Sequence, residues 1–173
     1  MTLGFYEKFP VHIHLVERFS SILTIKQLQQ RLIQVFYEIN GKEFTFEEIA
    51  NPTIPGGKVF FEFGFADSEG FSFIDEEEAK KVQYLLAKEQ VHSVDFFCGI
   101  RYYKSNLGKK SNLKFDYYLL RTAYNQGTIE FQVHHERGPR YISPEELILF
   151  IFNKINEISN RKVLKKSNTR LEN

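Results

Sequence analysis

Tyrosines interleaved with lysines and arginines are the residues in this chain best suited to chemistry at a surface. They are Arg101, Tyr103, Lys104, Lys109, Lys110, Lys114, Tyr118, Tyr124 and Arg137, with Arg140 just beyond. Phenol rings stack on nucleobases and cations pair with phosphates, so the pattern suits nucleic acid. It suits a protein partner equally, because Tyr and Arg are the common anchors of such interfaces. The plainer reading is tyrosine covering a sheet with its hydroxyl in water. Charge is segregated along the chain. Arg101, Lys104, Lys109, Lys110 and Lys114 stand with no acid among them, whereas residues 62–78 carry Glu62, Asp67, Glu69, Asp75, Glu76, Glu77 and Glu78 and no base. Residues 161–173 sum to +4 against a net charge of +1, which leaves −3 for the rest and argues mildly against a phosphate partner.

A second chemistry rests on the histidines. His12 and His14 share one side of an alternating segment, so they would ligate one metal ion with a third group such as Glu62 from a neighbouring strand. That would make a metal-dependent enzyme of nuclease or hydrolase type, although solvated surface histidine is the plainer reading. His134 and His135 point to opposite faces, and His135, facing inward, needs a polar partner. Asp116 followed by Glu130-x-Gln132 superficially resembles a nuclease carboxylate pattern. A turn near Asn125 would pair Glu130 with Thr122 or Ala123, leaving Asp116 about 20 Å along the strand, too far for a shared metal. The corner from Arg137 to Arg140, just ahead of a helix start at Ser143, would bind an anion with its arginines and the helix amides; a solvated turn is the plainer reading. Cys98 falls on an inward position and reads as an inert small hydrophobe. No phosphate-binding glycine loop, nucleophile elbow or Cys-x-x-Cys appears, and no cofactor is expected.

The elements that must position these groups are legible from periodicity. Residues 11–16 alternate, with Val11, Ile13 and Leu15 on one face. Thr24 caps a helix with Leu28, Leu32, Val35, Phe36 and Ile39 at helical spacing, and Gly41 stands where a left-handed cap belongs. A short helical turn follows Thr45, and residues 51–57 are a Pro/Gly loop. Residues 58–66 form a strand with Val59, Phe61, Phe63 and Phe65 on one side, and residues 71–74 a short one. Asp75 with Glu78 starts a helix reaching to about residue 90, with Val82, Leu85 and Leu86 inward. Three long strands follow over 91–104, 113–124 and 128–137. Ser143-Pro144-Glu145-Glu146 then opens a helix whose core face is Leu147, Phe150, Ile151, Ile155 and Ile158. With Val94, Phe96, Ile100, Leu113, Phe115, Leu119, Ile129, Phe131 and Val133 turned to the helices, the opposite face would show Asp95, Phe97, Arg101, Tyr103, Lys114, Asp116, Tyr118, Tyr124, Glu130, Gln132, His134 and Glu136.

Gly70-Phe-Ser-Phe-Ile74, followed by the acidic helix start at Glu76, resembles the third strand and second helix of RNA-recognition-motif domains. The match covers about a tenth of the chain. Glu69 stands where that family has a basic residue and Glu76 where it has an aromatic, and the first strand offers His12 or His14 in place of an exposed aromatic ring. The resemblance implies a split βαβ fold more than an RNA activity, with Phe71 and Phe73 otherwise packed in the core.

At 173 residues with 42% hydrophobic and 26% charged content, the chain makes one folded domain. Eighteen Phe and nine Tyr favour pleated surfaces. A single cysteine points to a reducing compartment, no apolar run is long enough to span a bilayer, and residues 1–10 lack a secretory signal pattern, so the expectation is a cytoplasmic protein without a membrane partner. The sequence therefore predicts an α+β domain over residues 1–160: a mainly antiparallel sheet in the order β-α-β-β-α-β-β-β-α, helices on one face, a ferredoxin-like core, and a basic tail over 161–173, either frayed or extending the helix. The expected function is a non-enzymatic binding module docking nucleic acid or a protein on the open sheet face. The alternatives are the metal-dependent enzyme and a homo-oligomeric scaffold subunit.

Overall fold

Aromatic side chains placed at every second position force long strands to lie flat against helices, and the computed structural model shows that outcome. It describes residues 3–50, 56–106 and 109–167, with the side chains of all but 105, 106 and 109–113. The strands are β1 (Leu15–Ser21), β2 (Glu43–Thr45), β3 (Gly57–Ala66), β4 (Phe71–Phe73), β5 (Ser93–Asn106), β6 (Lys109–Asn125), β7 (Thr128–Arg137) and β8 (Leu164–Lys166). The helices are α1 (Ile25–Ile39), α2 (Glu76–Lys88) and α3 (Pro144–Ile158). The protein is a single α+β domain whose antiparallel sheet runs β2-β3-β5-β6-β7-β1-β8, with β4 paired to β3 off that path.

Local chemistry sets the helix ends as expected. Thr24 and Gln27 satisfy each other's backbone amides in a capping box, as do Ser143 and Glu146 at α3, while Asp75 Oδ1 accepts from Glu78 N at 2.8 Å. Gly41 takes φ +70°, the left-handed conformation that ends α1. Asn40 then ties that end to the sheet: its side-chain amide donates to the carbonyls of Phe63 and Ile74 and accepts from Phe63 N. The core lies between the helices and one sheet face. Phe36 of α1 stacks on Phe63 with centroids 4.1 Å apart and meets Phe96 edge-on at 4.8 Å, while Phe150 of α3 stacks on Phe61 at 5.3 Å. Among the described residues no helix is long and apolar enough to cross a membrane.

Four expectations change. The first strand begins at Leu15, not residue 11. Residues 11–14 lie ahead of the strand, bending at Val11 and His14, and Val11 is fully exposed. β1 joins the sheet between β7 and β8, so it does not enter a split βαβ with β3 and β5. The basic tail is neither frayed nor helical over Leu164–Lys166: these residues pair with β1, and Asn156 of α3 accepts from the amides of Val163 and Leu164 at 2.9 Å. In β4, Phe71 is half-buried and Phe73 is 49% exposed, so neither belongs to the buried core.

Replacing Phe36, fully buried between two rings, by Ala is expected to lower stability by about 3–5 kcal/mol in urea unfolding. Tyr37→Ala, next door and 40% exposed, is expected to change it by less than about 1 kcal/mol.

Candidate functional site

Pairing register places side chains on the sheet face away from the helices in rows. Phe60, Arg101 and Phe115 are neighbours in one row, and Glu62, Gly99, Tyr117 and Arg137 in the next. The guanidinium of Arg101 lies 5.6 Å from the ring centres of both Phe60 and Phe115, within reach of their π-faces. One of its nitrogens approaches Glu62 Oε1 at 3.3 Å, and with both partners about two-fifths exposed that pair contributes little stability. Phe115 itself is 40% exposed and stacks along Tyr117, centroids 6.1 Å apart. Gly99, between them, leaves a shallow recess of about 40 Å³ floored by Ile100 and ringed by Phe60, Glu62, Arg101, Phe115 and Tyr117. Arg137 is exposed at the rim of this patch and forms no ion pair with a described residue, whereas Lys104 and Lys114 fall on the opposite, helix side of the sheet, in phase with Tyr102 and Asp116.

The other half of the same face is closed by the chain's own N-terminal segment. Residues 3–14 form a strap across it. Gly4 O accepts from Asp95 N at 2.7 Å, and Tyr6 N donates to Asp95 Oδ2 at 2.9 Å. Arg121 holds both oxygens of the buried Asp95, at 2.8 and 3.0 Å, and its guanidinium sits 4.2 Å beneath the Phe9 ring. Tyr6 packs on Phe71, which packs on Phe97. Nothing in the period of the sequence flags this cover. The one available sign is Phe5, Tyr6 and Phe9 crowded ahead of the first strand.

The tyrosines named from sequence lie inside the protein. Tyr118 is fully buried and donates to Ile142 O at 2.5 Å; Tyr124 is 1% exposed with its hydroxyl 2.8 Å from that of Thr122. Both point to the helices because β6 is turned one residue from the expected phase: Asp116, Tyr118, Leu120, Thr122 and Tyr124 face the core, and Phe115, Tyr117 and Leu119 face away. Burial raises both phenol pKa values far beyond their ordinary range. Tyr103 keeps its predicted face yet is only 5% exposed, hydrogen-bonded to Glu43, and burial with that carboxylate pushes its pKa up to about 12. The structure thus brings Arg101 and Arg137 to one patch, while Lys114 turns to the helix side with the rest of its phase on β6 and Lys104 points the same way from β5. Arg140 is exposed in the loop ahead of α3, beyond the end of β7, and the side chains of Lys109 and Lys110 lie outside the described residues. Phe115 and Tyr117 take the place of Tyr118 and Tyr124.

Asp116, the first carboxylate of the nuclease-like pattern, is sealed in the interior. Oδ1 accepts from His135 Nε2 and Arg140 N, both at 2.8 Å; Oδ2 accepts from Tyr102 OH at 2.5 Å and Tyr141 N at 3.1 Å. The Arg140 and Tyr141 amides at the Arg137–Arg140 corner are thus taken by this internal carboxylate, and of the helix amides proposed for an anion, that of Glu146 already donates to Ser143 Oγ at 3.1 Å. Gly138 is needed there: it has φ +118°, and a Cβ would fall 2.2 Å from Phe115 O. Glu130 pairs opposite Ala123, as the turn predicted, and bonds Arg18 at 2.7 Å.

His12 and His14 do not meet Glu62. They lie beside β7, three strand spacings or roughly 14 Å from β3, because β1 enters the sheet on the far side of β7. They meet other histidines instead: ring centres are 4.5 Å apart for His12 and His14, 5.0 Å for His14 and His134, and 6.4 Å for His14 and His135. His14 Nδ1 takes the His135 amide, His134 lies between the His12 carbonyl and Glu136, and His135 Nε2 holds Asp116; no group of three ligand-type residues among the described residues is arranged to hold a metal ion. Comparison with family models, with curated proteins and with solved structures finds no match to this chain, so function rests on the geometry of these sites.

Asp116→Ala would strand four donors in the interior, and a loss of at least about 3 kcal/mol is expected in urea unfolding. Phe115→Ala, one residue away on the open side, is expected to cost no more than about 1 kcal/mol.

Proposed function

We propose that the protein is a non-enzymatic binding module that takes a single-stranded nucleic acid on the uncovered half of its sheet. The observation that carries this reading is the row Phe60–Arg101–Phe115 with Tyr117 beside it, left outside both the helices and the strap, with Arg137 at its rim. Half-exposed rings at strand spacing offer stacking platforms to successive unpaired bases. A guanidinium held between two phenyls is positioned to stack in the same way or to pair with a phosphate. Arg101 and Arg137 supply the sequence-independent attraction to the backbone, and apart from Glu62 beside Arg101 the acidic run over residues 62–78 is concentrated elsewhere, on the β3–β4 turn and the start of α2. A duplex keeps its base faces stacked on one another, so it would gain only the rim contacts.

Fluorescence anisotropy with a labelled single-stranded oligonucleotide tests the reading. Binding is expected to weaken linearly in log–log form with salt, with a slope of about −1.4 for about two neutralised phosphates. Phe115→Ala and Arg101→Ala are each expected to weaken it by about 1–3 kcal/mol while leaving unfolding midpoints nearly unchanged. Binding that ignores both salt and these substitutions would exclude this face.

A further inference from the structure

We propose that His14 is a proton-operated latch on the N-terminal strap: when its ring takes a second proton, residues 9–14 detach from β7 and bare the covered half of the sheet face around Arg121. The inference concerns the chain alone and holds whether or not the open half takes nucleic acid.

The geometry sets the sign. His14 Nδ1 accepts from the backbone N–H of His135 at 3.0 Å. A backbone amide only donates, so Nδ1 must carry a lone pair, and the ring is neutral whenever this bond exists. A doubly protonated ring turns an N–H toward that amide instead. The groups around His14 add repulsion. His12 faces it from the strap, His134 and His135 from β7, and Arg140 from the loop ahead of α3. Two carboxylates are close by and already engaged: Glu136 meets His134 Nε2 at 3.0 Å, and Asp116 of β6 holds His135 Nε2. His134 completes the attachment, with Nδ1 2.6 Å from the His12 carbonyl oxygen. Partial desolvation first, then Arg140 and the neighbouring imidazoles, lowers the pKa of His14 below its ordinary 6.5.

A histidine whose pKa is lowered in the closed form and ordinary in the open form favours closure fully above about 6.5, and that preference is lost as pH falls through the lowered closed-state value. Acidification therefore loosens the strap. Residues 9–14 also carry Phe9 from its place over Arg121, so detachment leaves that guanidinium and its sheet face open to solvent.

Hydrogen exchange read by mass spectrometry, with labelling times corrected for the intrinsic pH dependence, measures the strap directly. Between about pH 7.5 and about pH 5, protection of residues 9–14 is expected to fall by about tenfold or more in the wild type, while α1 and β5 keep theirs. His14→Asn places an amide oxygen where Nδ1 accepts and does not titrate, so its strap is expected to stay protected at both values. Equal wild-type protection at the two values, or loss of protection in His14→Asn to the same degree, overturns the latch. Should that variant fold poorly, the wild-type His135 amide resonance decides: it must lose its hydrogen-bonded shift through the same window, and an unmoved resonance overturns the proposal.

Discussion

A carboxylate removed from water must be surrounded by donors, and the ring of donors around Asp116 is the constraint on which the middle of this molecule depends. Tyr102 comes from β5, His135 from β7, and the amides of Arg140 and Tyr141 from the loop that leads to α3. One side chain on β6 therefore fixes the relation of three strands and the path into the last helix. The hydroxyl of Tyr102 passes the constraint on, accepting from Ile142 N at 3.1 Å, and Tyr118 donates to the carbonyl of the same residue. Partly satisfied, such a network would cost more than an apolar core; with each oxygen of Asp116 accepting two hydrogen bonds, it specifies one arrangement.

That arrangement decides which residues remain available to a partner. Committing Asp116, Tyr118 and Tyr124 to the interior commits Phe115 and Tyr117 to the exterior, because successive residues on a strand point to opposite sides. The exterior side then divides in two. Asp95 and Arg121 form a buried, hydrogen-bonded pair that gives residues 3–14 something polar to lie on, while the opposite end, around Arg101, has no cover among the described residues. The site is thus what the core and the strap leave over, not a structure built independently of them.

Much of the scaffold was legible from local chemistry. Thr24, Asp75 and Ser143 announce helix starts because a side-chain oxygen there has a defined task, and Gly41 announces a helix end because few other residues tolerate its backbone. β3 was equally clear, with four apolar residues on one side and Lys58 and Glu62 on the other. β6 was not. Its two sides read Phe115, Tyr117, Leu119 and Asp116, Tyr118, Leu120, nearly equal in apolar content, so alternation gives no phase, and the decision rests on long-range donors to Asp116. The strap and β8 were illegible for a related reason. Neither has enough residues in register to show a period, and both are held by partners more than a hundred positions away along the chain or nearly so, such as Tyr6 by Asp95 and Ser20 by Lys165.

The two outermost strands, β2 and β8, are three residues long, and each carries charge: Glu43 on one, Lys165 and Lys166 on the other. An edge that short offers few unpaired amides and carbonyls as a template, and the lysines would have to shed water to admit a foreign strand. So wide an aromatic-rich sheet would otherwise be well suited to growing into fibrils. Its outermost strands are blunted instead, which leaves ribbon-like growth at those two edges little to start from.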